Sequence, residues 1–171
     1  MQIQRPLLKL ALIASAIISV PSMLVAKTGK KVTVGWIETV NINGVALKAK
    51  IDTGADNSSL NVKKSTVYRK NGSRYIRFNV TNKMGHSIVV DQPIIKYIRI
   101  KKKTRNGTQQ RPVIMLRICL AGITRKIMVN LVDRSRYKYE LLIGRSYLVN
   151  HFIVDPSLKF IANNSCVTSK K

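Results

Sequence analysis

Two residues, Asn43-Gly44, constrain the fold of this chain more than any other pair, because they separate two runs of alternating apolar and polar residues. Asn-Gly readily takes the left-handed backbone that a two-residue hairpin turn requires, and the twist of that turn matches the strands it joins. The flanking runs are Val32–Ile42 and Val45–Ile51. The second run delivers Asp52-Thr53-Gly54-Ala55 into a loop, followed by the small polar stretch Asp56-Asn57-Ser58-Ser59. Taken alone, Asp-x-Gly is ordinary turn chemistry. Far downstream a second unusual element, Leu141-Leu142-Ile143-Gly144-Arg145, breaks an apolar run with glycine just before a short helical stretch, Ser146–Asn150.

The rest of the chain is strand-like. Tyr75–Val80, Ser87–Val90, Ile94–Ile100, Val113–Leu120 and Lys126–Val132 are separated by turn signals at Gly85, Asn106-Gly107 and Gly122. No helical pattern of more than a few turns and no internal repeat is present. Regular turns between short strands predict an all-β domain, a small barrel or a sandwich, with one short helix near the C-terminus.

The N-terminus predicts export. Arg5 and Lys9 precede the apolar stretch Leu10–Val20, Pro21-Ser22 breaks it, and Leu24-Val25-Ala26 offers a small residue at a cleavage site. Residues 1–26 are read as a signal peptide cleaved after Ala26 or as an uncleaved anchor in the inner membrane. In both cases the domain at 27–171 lies outside the cytoplasm, periplasmic or secreted. Its two cysteines, Cys119 and Cys166, could pair there, although Cys119 on an alternating strand also reads as a plain core residue.

With 31 Lys and Arg against 7 Asp and Glu, the chain carries a formal charge of +24. Such a surface attracts anionic partners, a membrane surface or an envelope polymer among them. Nucleic acid is not expected for an exported protein, and the densest basic run, Arg99–Arg105, lacks interleaved stacking aromatics. That run reads as a solvated hairpin whose lysines guard a strand edge. No Cys-x-x-Cys, His-Glu-x-x-His or Gly-x-x-x-x-Gly-Lys occurs, and His86 and His151 have no ligand-type residue at metal spacing. Neither a metal nor another cofactor is predicted.

With so few acids, each can be weighed. Asp155 before Pro156 reads as a turn residue, and Asp133 as a cap at a strand end. Asp91, Glu38 and Glu140 have no distinctive context. Asp52 stands out because Asp-Thr-Gly at a strand end can present a carboxylate held by backbone N–H groups. Two such carboxylates sharing one proton titrate as a unit. The ionised member takes a proton from water while the protonated member donates to a scissile carbonyl oxygen. With one Asp-Thr-Gly per chain, this chemistry needs the second carboxylate from a second copy of the chain, a homodimer acting on a protein or peptide substrate; without that copy the chain does not use it.

Asp52 through Ser58 together with Leu142-Ile143-Gly144-Arg145 resembles the retropepsin subunit, in which Asp-Thr-Gly-Ala-Asp is followed by small polar residues and answered by an apolar-Ile-Gly-Arg element. A closer resemblance runs from Lys31 to Phe160, through Val34-Gly35-Trp36, Arg77-Phe78-Asn79-Val80, Arg111-Pro112-Val113-Ile114, Asp133-Arg134 and Phe152-Ile153-Val154-Asp155-Pro156. It is to a bacterial retropepsin-like family that carries the name ATP-dependent zinc protease. The resemblance implies an all-β closed barrel of the retropepsin type, and an aspartic endopeptidase with Asp52, Thr53 and Gly54 as the catalytic triplet, supported by Ala55, Asp56, Gly144 and Arg145. It also implies a largely buried Asp56–Arg145 ion pair beneath the site. A retroviral flap has no clear counterpart; Asn82–Ser87 and Lys102–Gln109 are the two segments that could serve as one. The alternative is a catalytically inactive binding module of the cell envelope on the same fold.

Overall fold

The computed structural model describes residues 29–101, 107–163, 165 and 166. The leader expected at 1–26, most of the Lys102–Gln109 segment and the tail ending in Lys170-Lys171 lie outside the described residues.

The Asn43-Gly44 turn forms as its sequence dictates, with φ of 47° and 93°. It joins β2 (Ile37–Ile42) to β3 (Val45–Ile51). Alternation gives β3 one buried face, Val45, Leu47, Ala49 and Ile51, and one exposed face, Ala46, Lys48 and Lys50. The run expected to be one strand from Val32 to Ile42 is instead cut at Trp36 into β1 (Val32–Gly35) and β2. The cause is steric and concerns Gly35. A Cβ there would stand 2.3 Å from the Leu158 carbonyl oxygen, so returning C-terminal chain lies directly on this glycine. β1 consequently leaves its sequence neighbour and pairs in parallel with β12 (Phe152–Asp155).

After β4 (Ser58–Asn61) come β5 (Ser65–Lys70), β6 (Ser73–Thr81) and β7 (Ser87–Pro93), a three-stranded antiparallel sheet. Its inner face adds Ile76, Phe78, Val80 and Val90 to the core. The sequence reading did not assign β5, although Asn71-Gly72, with φ of 49° and 75°, is the same turn signal as Asn43-Gly44. The remaining strands are β8 (Lys96–Lys101), β9 (Thr108–Leu120), β10 (Ile123–Val132) and β11 (Leu141–Ile143).

Strand order in the main sheet is β10-β4-β11-β3-β2-β9-β8, and β10 also pairs with β9. That extra pairing closes β10, β4, β11, β3, β2 and β9 into a ring, with β8 attached outside on β9. The fold is therefore an all-β closed barrel, the one of the two architectures allowed by the turn pattern that the retropepsin resemblance implies. Two crossings are parallel, β11 with β3 and β10 with β4, and the first positions the site described below.

The one helix among the described residues, α1 (Arg145–Leu148), is too short to be stable by itself and is held by packing. Tyr147 is fully buried and stacks on Phe152, with centroids 5.5 Å apart. Its hydroxyl donates to the Ile123 carbonyl at 2.8 Å and lies 3.2 Å from that of Ile118. Burial pushes the phenol well above its usual range, so it remains a donor at any working pH. Tyr147→Phe leaves these buried carbonyls short of a donor and should cost about 1–3 kcal/mol in urea denaturation. An unchanged midpoint would mean that α1 does not depend on this anchor.

Candidate active site

Because β3 and β11 run parallel in register, with Ile51 opposite Ile143, their C-terminal ends emerge side by side. The Asp52 loop leaves one and Gly144-Arg145 leaves the other, and backbone bonds join them. Asp52 N–H donates to the Ile143 carbonyl at 2.8 Å, Arg145 N–H to that of Ala55 at 2.8 Å, and Ser146 N–H to that of Asp56 at 3.1 Å. The Gly144 N–H donates to Ser58 Oγ at 3.1 Å. Only glycine fits at 144, since a Cβ would come within 2.7–2.8 Å of backbone atoms of Asn57 and Ala55.

Within the loop, Gly54 N–H donates to Asp52 Oδ1 at 3.1 Å, the backbone grip that Asp-Thr-Gly suggests. Arg145 Nη1 donates to the Thr53 carbonyl at 2.9 Å. Thr53 and Gly54 are exposed and Asp52 is part-buried, so the triplet faces outward from the barrel wall. All seven residues expected at the site, Asp52 to Asp56 with Gly144 and Arg145, are thus assembled in one place.

The Asp56–Arg145 ion pair forms, but it is not buried as expected. The side chains are 75% and 53% exposed, because the pair brackets the loop from outside while the β3–β11 bonds pass beneath. Its energetic weight is that of a surface pair.

Several further residues converge here that the sequence reading left out. Lys50, on the exposed face of β3, places Nζ 3.3 Å from Asp52 Oδ2. Asn130 of β10 is buried and donates to the Ser58 carbonyl at 2.7 Å. Its Oδ1 accepts from Arg111 Nη1 at 3.3 Å, which ties β9 to the Asp52 loop. Arg134 is only 8% exposed, yet among the described residues no carboxylate pairs with it. Its guanidinium lies against the Tyr137 ring, 4.5 Å from the centroid. Burial pushes it below its usual value, as does Arg111 nearby, against the opposing pull of Tyr137 and Asp52. Burial lowers Arg111 likewise. Arg134 also lines a cleft of about 650 Å³ with Lys63, Lys64, Lys83 and Lys138, where Glu140 is the one acid. A local signal existed only for Arg134, in the Asp133-Arg134 match; the others depend on register between strands remote in sequence.

Of the two flap candidates, Asn82–Ser87 caps the β6–β7 hairpin, with the Asn82 N–H donating to the His86 carbonyl at 3.0 Å. Lys102–Gln109 connects β8 to β9, and residues 102–106 lie outside the described residues. The base of that second hairpin, Lys96, Ile98 and Val113, shares a small cleft with Asn57 of the Asp52 loop.

Cys119 and Cys166 are joined in a disulfide, so Cys119 is both a buried core residue and bridged. A zinc site does not fit the donor set. Among the described residues no three His, Cys, Asp or Glu side chains are close enough to hold a metal ion.

A model of the RimB-like family, described as retropepsin-like aspartic endopeptidase RimB, matches residues 33–165. The chain belongs to this RimB-like family. It is similar to a Legionella pneumophila protein of unknown function whose crystal structure superposes with a TM-score of 0.68 at 32% identity, covering 78% of this chain and all of that one. Proteins named alpha-L-glutamate ligase from Parasynechococcus marenigrum and Shewanella pealeana are 29% and 30% identical over 133 and 132 residues, covering 74% and 73% of this chain. The match spans only 28% of the length of each of those relatives.

The geometry ranks two substitutions. Arg145→Ala should lower stability by about 1 kcal/mol or less through the exposed ion pair. Gly144→Ala forces backbone apart and should cost about 1–3 kcal/mol. Equal costs for the two in urea denaturation would contradict this division of labour.

Proposed function

We propose that this protein is an exported aspartic endopeptidase that works as a homodimer and cleaves acidic peptide chains rich in glutamate. The observation that carries the reading is the Asp52 loop itself: a carboxylate gripped by the Gly54 N–H, fixed from behind through Ile143, and facing outward where a second copy can meet it. Two such loops on a two-fold axis bring two Asp52 side chains to one water. One carboxylate takes a proton from that water as it attacks the scissile carbonyl carbon; the other gives its proton to the carbonyl oxygen. The resulting diol collapses, the C–N bond breaks, and the leaving nitrogen takes a proton from the pair.

The substrate class rests on charge. Arg134 is buried without a carboxylate partner among the described residues, Arg111 is nearby, and the lysine-lined cleft extends from Arg134. Burying the Arg134 guanidinium without a carboxylate is unfavourable, and an incoming anion would compensate it, while the exposed lysines would draw that anion in. The relatives that carry the matched segment within a longer chain are named as glutamate ligases. A hydrolase of glutamate-rich chains is a chemical counterpart to such a ligase. The Cys119–Cys166 bridge fits the oxidising compartment that the leader implies.

One observation favours the inactive-module alternative: Lys50 lies on Asp52 Oδ2, an oxygen that the water and the second carboxylate would use. Cleavage of a peptide library containing glutamate-rich and lysine-rich members separates the readings. Asp52→Asn should reduce turnover by at least about 10²–10⁴-fold while the fold survives. Excess Asp52→Asn chains should also suppress the active protein, since each mixed pair lacks one carboxylate. Glutamate-rich members should be preferred, with KM rising as salt is added. A chelator should change nothing. Turnover that survives Asp52→Asn, or is lost with metal removal, would overturn the aspartic mechanism; binding without cleavage would select the inactive module.

A further inference from the structure

The chain after β12 returns across the barrel as a strap, and its attachment is unusual. Leu158, Phe160 and Ile161 are each well exposed, so apolar burial holds it only weakly. Polar contacts do the work instead. The Trp36 N–H donates to the Leu158 carbonyl at 3.0 Å and the Phe160 N–H to that of Ile37 at 2.8 Å. Glu38, which is completely buried, receives the Gly35 N–H at 2.6 Å on Oε1, where the Ile161 N–H also donates at 3.3 Å. Its Oε2 receives the Ala162 N–H at 3.1 Å. Among the described residues no Lys or Arg pairs with this carboxylate. Two of its three donors therefore belong to the strap, and the strap is fastened beyond them by the Cys119–Cys166 bridge to β9.

The strap reaches the site through Trp36, whose carbonyl accepts the Ile51 N–H at 2.9 Å. Ile51 is the residue immediately before Asp52. A continuous run of bonds thus leads from the disulfide through the strap and Trp36 to the catalytic loop.

We propose that the Cys119–Cys166 bridge is a redox latch that turns the site on once the chain reaches an oxidising compartment. With the cysteines reduced, the strap loses its terminal anchor. Opening it then strips Glu38 of two donors, leaves a buried carboxylate under-satisfied, and frees Trp36 to shift away from Ile51. Oxidation transfers two electrons and two protons from the thiols to a disulfide-bearing partner, which becomes a dithiol, and the new S–S bond closes the strap. A hydrolase held in this way would be quiet in the reducing cytoplasm and active after export. The activity part rests on the peptidase reading above; the structural part does not.

The test uses the full oxidised chain, treated with a dithiol reductant and then reoxidised. Trp36, the single tryptophan, reports the latch directly. On reduction its emission should move to the red and exchange of the Ile51 amide should speed up, with far-UV circular dichroism retained. Cleavage should fall about tenfold or more, as slight misplacement of a catalytic group costs, and reoxidation should restore it. Gly35→Ala provides a variant that spares the cysteines: its methyl group drives the strap off, so the oxidised variant should resemble the reduced wild-type protein. Unchanged Trp36 emission and Ile51 protection on reduction would overturn the proposal. So would loss of the whole β-signal, which would make the bridge a general staple, or full cleavage while Ile51 is open. If Trp36 and Ile51 respond but no peptide is cleaved in either state, the latch stands and the peptidase reading fails.

Discussion

The parallel pairing of β3 with β11 is the constraint on which the rest depends. It forces two chain segments remote in sequence to end at the same point on the barrel, one carrying Asp52 and the other Gly144-Arg145. Gly144 packs directly against the backbone of Ala55 and Asn57, and the loops cannot separate without breaking several bonds at once. The ion pair between Asp56 and Arg145 lies outside this junction and adds orientation more than stability. Rigidity behind Asp52 thus comes from backbone geometry, which suits a carboxylate that must be held in place yet remain accessible.

Most of this junction is legible in the sequence. Asn43-Gly44 sets the register of β2 on β3, alternation sets which face is inside, and the strand therefore ends at Asp52. What could not be read depends on long-range pairing. Glu38 looks like one more strand residue until the strap supplies its donors. Lys50 acquires meaning only because it shares the outward face of β3 with the end of that strand. Asn130 meets the end of the Asp52 loop, and Arg111 meets Asn130, because β10 pairs with both β4 and β9. β5 was missed because Ser65–Lys70 is exposed along almost its whole length and shows no apolar alternation. The single strand expected from Val32 to Ile42 failed for a reason that no local pattern carries, the passage of Leu158 over Gly35.

Charge separates what is general in this molecule from what is particular to the site. Most of the excess Lys and Arg lies on exposed faces, where salt screens it and it acts mainly as a long-range field. Arg134 and Arg111 differ, since burial already lowers both and they stand near one another without an acid partner among the described residues. Cations in such surroundings interact strongly with whatever anion displaces the remaining water. Under the proposed function the general field would gather acidic chains, and Arg134, which already feels the charge of Asp52, would bind them near the site.

The central claim is that one active centre requires two Asp52 loops. Its most direct measurement is the stoichiometry with which a glutamate-rich peptide, carrying a non-cleavable hydroxyl-bearing mimic of the diol at its centre, binds the oxidised protein in calorimetric titration. The account predicts one inhibitor per two chains, with binding abolished by Asp52→Asn. One inhibitor per chain, held as tightly by a demonstrated monomer, would contradict it.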